Sequence, residues 1–169
     1  TCHYCSQGDQ VRCETSFPLD EQSPLRTADG KPIAQGLRTG AFAESVVVDV
    51  SQLAPIPEDV PLDSASVLSC GVITGFGAVV NTAQIPAGCS VVILGTGGVG
   101  LNSVQGAAVA GAEKIIALDL SDAKLEAARN FGATHTVNVS QQKATKAVYG
   151  LTGGRGADYV FVTVGAKSA

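Results

Sequence analysis

A glycine-rich turn follows a short apolar run in the second half of this 169-residue chain. The turn is GTGGVG at residues 95–100, which fits the pattern G-x-G-x-x-G, and the apolar run before it is SVVIL at residues 90–94. A continuous apolar run is typical of a strand that a parallel sheet buries on both faces. Between such a strand and a helix, Gly95 permits a tight turn, Gly97 lets the backbone approach a pyrophosphate, and Gly100 lets the helix pack closely. The pattern predicts a dinucleotide at the N-terminus of the helix.

An acidic residue ends the next predicted strand. Asp119 lies nineteen residues after Gly100, in the segment IIALDL. Its carboxylate can accept hydrogen bonds from the hydroxyl groups of an adenosine ribose and would repel a 2′-phosphate, so the pattern favours NAD over NADP. Two alternatives stay open at this point: a tight strand-to-helix turn without a ligand, and a related fold that binds a flavin or adenosylmethionine.

Apolar runs alternate with helical patterns from residue 90 onward. This order predicts four strands of a parallel, doubly wound α/β sheet, which has six strands in its complete form, so we expect the chain to stop before the sheet is complete. The predicted elements are a strand at 90–94, a helix at 98–110, a strand at 114–118, a helix at 122–131, a strand at 134–138, a helix at 141–149 and a strand at 159–164.

The chain before residue 90 has a different character. Its first 40 residues are polar and rich in turn formers, which predicts loops with short strands. The β-branched run AFAESVVVDV at 41–50 predicts a longer strand. Capping residues Asp63 and Ser64 predict the start of a helix, and the small residues of 72–83 predict a second helical stretch suited to close packing.

Three cysteines lie close together in the first polar segment. Cys2 and Cys5 are separated by two residues, and Cys13 follows after seven more. Thiolates at such spacing suit tetrahedral Zn²⁺, although three ligands do not complete a structural site. A redox-active pair or free thiols are the alternatives. We interpret His3, between the first two cysteines, as a solvent-exposed loop residue.

The remaining cysteines and the second histidine carry weaker signals. Taken alone, Cys70 in the segment SCGVITGFG is more typical of a core cysteine than of a catalytic residue. We expect Cys89, at the start of the first sheet strand, to lie in the core, and His135 to be structural.

Composition narrows the partners and the compartment. The net charge of −4 provides no basic surface for nucleic acid or for anionic membranes. No apolar run approaches the roughly 20 residues of a membrane span, and no signal sequence is apparent. Five cysteines, three of them clustered, favour metal binding in the cytoplasm over a secreted disulfide framework. Because the chain begins with Thr1 and contains no methionine, we expect it to be truncated.

Together these features resemble the medium-chain zinc alcohol dehydrogenases over nearly the whole chain. That family has a structural zinc lobe with the pattern C-x2-C-x2-C-x7-C, and Cys2, Cys5 and Cys13 match its second, third and fourth cysteines. The segments GKPI at 30–33 and TGAFAESVVVD at 39–49 are similar to the branch that contains glutathione-dependent formaldehyde dehydrogenase.

The resemblance implies roles for further residues. SCGVITGFGAVVNTA is similar to the segment around the third protein ligand of the family's catalytic zinc, which falls on Cys70 and reverses the interpretation of that cysteine as core. Thr74 falls beside the nicotinamide, Val99 behind its ring, and Lys124 near the adenosine ribose. The residues expected to bind NAD are therefore Thr74, Gly95, Gly97, Gly98, Val99, Gly100, Asp119 and Lys124.

The resemblance also implies an architecture and a reaction. Residues 1–71 would be the end of a mainly-β catalytic domain that includes the zinc lobe at 1–14, and residues 72–169 would be the first part of a Rossmann domain. The reaction would be hydride transfer between an alcohol or hemithioacetal and NAD, with Zn²⁺ as Lewis acid, in a homodimer or homotetramer. The family's other catalytic zinc ligands, a cysteine and a histidine, would precede Thr1. Two alternatives are a zinc-free reductase of the same superfamily and a non-catalytic NAD-sensing module with a structural metal.

Overall fold

The computed structural model describes residues 2–9, 12–15, 23–36, 39–48 and 50–165. The chain divides into two compact units, Thr1–Ile56 and Pro57–Ala169. The domain boundary predicted from the resemblance, between residues 71 and 72, stays a prediction.

The described residues of the first unit form little regular structure. Helix α1 spans His3–Ser6, a single turn of 3-10 helix spans Val50–Gln52, and an isolated antiparallel bridge joins Arg26 to Pro32. The strand predicted at 41–50 is wrong: residues 41–48 form bends and irregular backbone, residue 50 belongs to the 3-10 turn, and residue 49 lies outside the described residues. A β-branched run needs a surface to pack on. Phe42 and Val47 are 111% and 94% exposed, so the described residues of the unit provide this segment with no such surface.

The second unit is built on four parallel strands. They are β1 Ser90–Leu94, β2 Lys114–Asp119, β3 His135–Asn138 and β4 Tyr159–Val162. Their spatial order is β3-β2-β1-β4, with β1 hydrogen-bonded to both β2 and β4. The chain thus reverses its direction of travel across the sheet after β3, and the predicted doubly wound α/β fold is confirmed.

Helices connect the strands and cover both faces of the sheet. The first helical segment, α2, spans Leu62–Ala83, and the others are α3 Gly98–Val109, α4 Asp122–Asn130 and α5 Ala144–Leu151. Val91 and Ile93 pack on one side of β1, in a cluster with Val79 of α2 and Val104 of α3. Val92 packs on the other side, in a cluster that includes Ile116 and Leu118 of β2 and side chains of α5. Burial on both faces explains the uninterrupted apolar runs of β1 and β2.

Helix α2 corrects two predictions. It begins at Leu62, so Asp63 lies in its first turn, and the two predicted helical stretches form one segment of 22 residues with mean hydropathy 1.5. The expectation that no apolar stretch approaches membrane-spanning length is therefore wrong, because α2 is long and apolar enough to cross a membrane. Length and composition alone are weak evidence that it does so. Predicted close packing is present: a Cβ added to Gly75 would lie 2.1 Å from the carbonyl oxygen of Val99, and one added to Gly106 would lie 3.1 Å from Cβ of Val79.

Candidate dinucleotide and metal sites

The glycine turn lies at the carboxyl end of β1, where β1 has neighbours on both sides. Gly95 has a φ of +93°, and a Cβ at this position would lie 2.2 Å from Cγ1 of Val164. A Cβ on Gly100 would lie 1.9 Å from the carbonyl oxygen of Gly95. These two positions therefore need glycine for the turn and for the approach of α3 to β1, as the sequence pattern predicts.

The middle of the turn is open. A Cβ added to Gly97 or Gly98 would meet nothing within 4 Å, and both residues are exposed at the start of the twelve-residue helix α3. The first N–H groups of a helix have no partner within the helix and favour an anion. The described residues thus fit a pyrophosphate at this position by both space and charge.

Asp119 ends β2 and is bound to the turn. Its Oδ2 accepts hydrogen bonds from the backbone N–H of Thr96 at 2.8 Å and from the Thr96 hydroxyl at 3.1 Å. Its Oδ1 accepts one from the N–H of Ser121 at 3.1 Å. Burial raises the pKa of the Asp119 carboxyl, but the Thr96 and Ser121 donors and the charge of Lys124 outweigh it and hold that pKa below its usual value. The carboxylate is therefore ionised and held in one orientation before any ligand binds.

Sequence reasoning missed the part played by Thr96. This residue is 1% exposed and occupies the second position of the glycine pattern. Nothing in the glycine pattern signals this role, because the pattern leaves its second position unspecified. Lys124 lies exposed near the start of α4, as the assignment near the ribose requires, although its contact with a ribose stays a prediction.

Helix α2 brings the remaining predicted NAD contacts to the turn. The hydroxyl of Ser103, which is fully buried in α3, lies 3.2 Å from the carbonyl oxygen of Gly75 and 3.1 Å from that of Val99. Thr74, next to Gly75, is exposed on α2. The structure thus brings the Thr74–Gly75 segment close to Val99. Thr74 and Val99 must lie close together if both contact one nicotinamide, as predicted.

Cys70 lies on the same helix, four residues before Thr74. Its thiol is free and exposed, which removes the interpretation of Cys70 as a core cysteine of this unit. Cys89 is 7% exposed within the main core cluster. His135 begins β3, and its Nδ1 lies 2.8 Å from the hydroxyl of Thr134.

The three N-terminal cysteines converge. The Sγ atoms of Cys2, Cys5 and Cys13 all lie within 4.8 Å of one another. Zinc–sulfur bonds of about 2.3 Å in a tetrahedron place ligand sulfurs about 3.8 Å apart, so the cluster fits this metal after a small contraction. His3 is exposed and stacks edge-on against Tyr4, with ring centroids 5.4 Å apart, outside the cluster. Among the described residues no fourth ligand joins the three thiols.

The thiols of the cluster differ in acidity. The backbone N–H groups of Cys5 and Glu14 lower the pKa of Cys2 to about 7. The pKa of Cys5 is raised to about 11, chiefly because Cys13 and Cys2 form hydrogen bonds with its thiol and their negative charges disfavour a further thiolate. Ionisation of all three thiols at this spacing would therefore require a cation between them.

A parallel sheet with a glycine turn after its first strand and an acid bound to that turn defines a dinucleotide-binding domain of the dehydrogenase type. A family model described as zinc-binding dehydrogenase matches residues 98–169. Alcohol dehydrogenase class-3 of Oryza sativa subsp. japonica is 37% identical over 173 residues, which cover 97% of this chain and 45% of that protein. Alcohol dehydrogenase 2 of the same organism is 47% identical over 144 residues, which cover 81% and 38%.

Solved structures that are similar to this chain have names of the same kind as these relatives. The alcohol dehydrogenase zinc-binding domain protein from Burkholderia ambifaria matches with a TM-score of 0.84 at 32% identity, over 99% of this chain and 47% of that one. Benzyl alcohol dehydrogenase from Acinetobacter calcoaceticus matches with a TM-score of 0.82 at 28% identity, over the same two shares. The chain belongs to the zinc-dependent medium-chain alcohol dehydrogenase family, and it spans less than half the length of these relatives.

Proposed function

We propose that the protein is a zinc-dependent alcohol dehydrogenase that transfers hydride between an alcohol, or a hemithioacetal, and NAD. One observation carries the proposal. The carboxylate of Asp119 is hydrogen-bonded to Thr96 within the glycine turn, so the ribose-binding acid and the pyrophosphate-binding turn form one preorganised site. Family membership then selects this chemistry from the many reactions that such a fold supports.

The residues of the turn bind and orient the coenzyme in this proposal. Gly97 and Gly98 admit the pyrophosphate to the exposed N-terminus of α3, Asp119 accepts the ribose hydroxyl groups, and Lys124 lies beside the same ribose. Oδ2 of Asp119 accepts two hydrogen bonds from Thr96 and Oδ1 accepts one from Ser121, so Oδ1 is the oxygen with more capacity to accept a ribose hydroxyl. Thr74 and Val99 flank the nicotinamide. The negative charge on Asp119 favours NAD over NADP, since it would repel a 2′-phosphate.

The cysteines supply the metal ligands. Cys2, Cys5 and Cys13 hold a structural zinc together with a fourth ligand that is not among the described residues. Cys70 is one thiolate ligand of a catalytic zinc, and the other catalytic ligands come from elsewhere in the full-length protein. When bound, the catalytic metal supplies Lewis-acid chemistry toward the substrate oxygen, and NAD accepts or returns the hydride.

Further proposals concern the setting of the enzyme. The substrate is a small alcohol or aldehyde, the division into domains follows residues 1–71 and 72–169, and the full-length protein is a homodimer or homotetramer. The free, clustered thiols and the acidic balance favour a cytoplasmic enzyme without nucleic-acid or membrane partners.

The test uses the full-length protein, a panel of primary alcohols and S-hydroxymethyl thiols, and metal analysis of each variant. We expect NADH formation, together with a structural and a catalytic zinc ion in each subunit. Cys70→Ser should remove the catalytic zinc and the activity while the structural zinc remains. The matched control is Cys89→Ser in the core, which should retain both metals. Full activity of Cys70→Ser would refute the metal role, and NAD binding without turnover of any alcohol would favour a sensing module.

A further inference from the structure

A threonine far along the chain contacts the first residue of the glycine turn. Thr163 directly follows β4, and its backbone N–H donates a hydrogen bond to the carbonyl oxygen of Leu94 at 2.9 Å. Its hydroxyl oxygen lies 2.7 Å from the carbonyl oxygen of Gly95 and 3.1 Å from that of Leu94. A threonine hydroxyl has one proton to donate. Because the Gly95 oxygen is nearer and the Leu94 oxygen already accepts a backbone N–H, the proton points to Gly95.

The carbonyl group of Gly95 depends on this contact. Gly95 is buried, and Gly100 approaches so closely that a Cβ there would lie 1.9 Å from the Gly95 oxygen and 2.8 Å from the Thr163 hydroxyl. No other donor to this oxygen is found among the described residues. A buried carbonyl without a donor is unfavourable, so the Thr163 hydroxyl stabilises this orientation of the turn.

The two ends of one peptide group are therefore held by the two strands that flank β1. The carbonyl of Gly95 accepts from Thr163 after β4, and the N–H of Thr96, in the same planar peptide group, donates to Asp119 at the end of β2. Gly95 has a φ of +93°, and because glycine has no Cβ its backbone is freer than that of any other residue. The two hydrogen bonds supply the restriction that the glycine lacks.

We infer that Thr163 is a positioning residue for the dinucleotide, because its hydroxyl fixes the Gly95–Thr96 peptide group and, through it, both Asp119 and the N–H groups that receive the pyrophosphate. The inference rests on the proposed NAD site. Thr163 itself touches neither the coenzyme nor the reacting atoms, so it acts through the geometry of the turn.

The test measures NAD binding to the full-length, zinc-loaded protein by titration calorimetry. Thr163→Val removes the hydroxyl at nearly constant shape, and the net effect of one hydrogen bond predicts a Kd for NAD raised about three- to tenfold. The KM for NAD should rise by a similar factor, while kcat at saturating NAD stays within about twofold, since the Michaelis complex, once formed, is unchanged. Thr163→Ser keeps the donor and should restore the Kd to within about twofold of the wild-type value.

A second threonine provides the matched control. The hydroxyl of Thr134 accepts from the N–H of Ile115 at 2.8 Å and lies 3.2 Å from its carbonyl oxygen, at the opposite end of the sheet. Thr134→Val should lower the resistance to urea as Thr163→Val does but leave the Kd for NAD unchanged. If Thr163→Val does not fold, Thr163→Ala is measured in its place with the same expectation.

Three results would overturn the inference. They are an unchanged Kd in Thr163→Val, an equal loss of NAD binding in Thr134→Val, and a failure of Thr163→Ser to restore binding. If the wild-type protein itself did not bind NAD, the proposed function would fall together with the inference, whereas wild-type binding with an unaffected Thr163→Val would remove the inference alone.

Discussion

The cysteine cluster and the dinucleotide turn are held in place by different means. The turn follows β1, in which Val91 and Ile93 are completely buried, and it is bound to residues after both neighbouring strands. In the cysteine cluster, Cys5 lies in α1, a helix of four residues, none of which is buried. Hydrophobic burial therefore builds the proposed dinucleotide site before any ligand binds, whereas the proposed zinc site would take its order from the metal.

The largest expected effect is on the cysteine cluster. Removal of zinc with a chelator should abolish hydrogen-exchange protection in residues 2–9, because binding free energy in small zinc sites, about 10 kcal/mol or more, is also their folding free energy. Amides of β1 and β2 should keep their protection under the same conditions. Equal protection of residues 2–9 with and without zinc would show that the two sites do not differ in this way.

A core truncation tests the other side of the comparison. Ile93 is 0% exposed at the centre of the sheet, and Ile93→Ala should lower the free energy of unfolding by about 2–5 kcal/mol in urea denaturation. Val162, on β4 at one margin of the four described strands, is 64% exposed, and Val162→Ala should change the free energy of unfolding by less than about 0.5 kcal/mol. Similar losses in the two variants would mean that β1 is not the core strand.

A smaller effect is expected where the backbone, rather than a side chain, sets the packing. Gly100→Ala places a methyl group against the Gly95 carbonyl and should cost about 1–3 kcal/mol by overpacking, with weaker NAD binding. Gly150→Ala in α5 meets nothing within 4 Å and should stabilise the protein by up to about 1 kcal/mol. Urea denaturation of both variants checks the sign, and a neutral Gly100→Ala would disprove the close approach.

The smallest effect concerns acid. Asp119 has a pKa below its ordinary value in the folded state, so it contributes stability that is present above the ordinary pKa of about 3.9 and is lost as the pH falls through the lower, folded value. Asp119→Asn should therefore flatten the stability profile below about pH 4. Urea denaturation of the wild-type protein and of Asp119→Asn at several pH values measures this. An unchanged slope in Asp119→Asn would mean that its hydrogen bonds to the turn do not form.

Prediction from sequence succeeded where a pattern is local. β1 and β2 have uninterrupted apolar runs because both faces of each strand are buried, and such runs are visible without a structure. The helix predicted at 141–149 begins later, at Ala144. The cause is a competing turn: the Asn138 side chain accepts from the N–H and hydroxyl of Ser140 at 3.0 and 2.6 Å, which delays the start of the helix.

Other features could not be predicted because they depend on distant residues. Thr163 is 68 positions from Gly95, and no spacing rule links a threonine after the fourth strand to a turn after the first. Thr96 bonds to a carboxylate 23 positions away, which the glycine pattern does not specify. The β-branched run at 41–50 led to a wrong prediction because its composition suits a strand, whereas the described residues of the first unit provide no strand for it to pair with.

The close contact between α2 and α3 has a consequence for the register of the two helices. Only glycine fits at position 75, because a Cβ there would lie 2.1 Å from the carbonyl oxygen of Val99. The hydroxyl of Ser103 lies between the carbonyl oxygens of Gly75 and Val99 and stabilises the same contact. A slip of α2 by one residue, about 1.5 Å, would replace Gly75 with Thr74 or Phe76 and is sterically blocked. The contact therefore excludes a slip of one residue, and it helps to determine how far along its axis α2 carries Cys70 relative to the glycine turn.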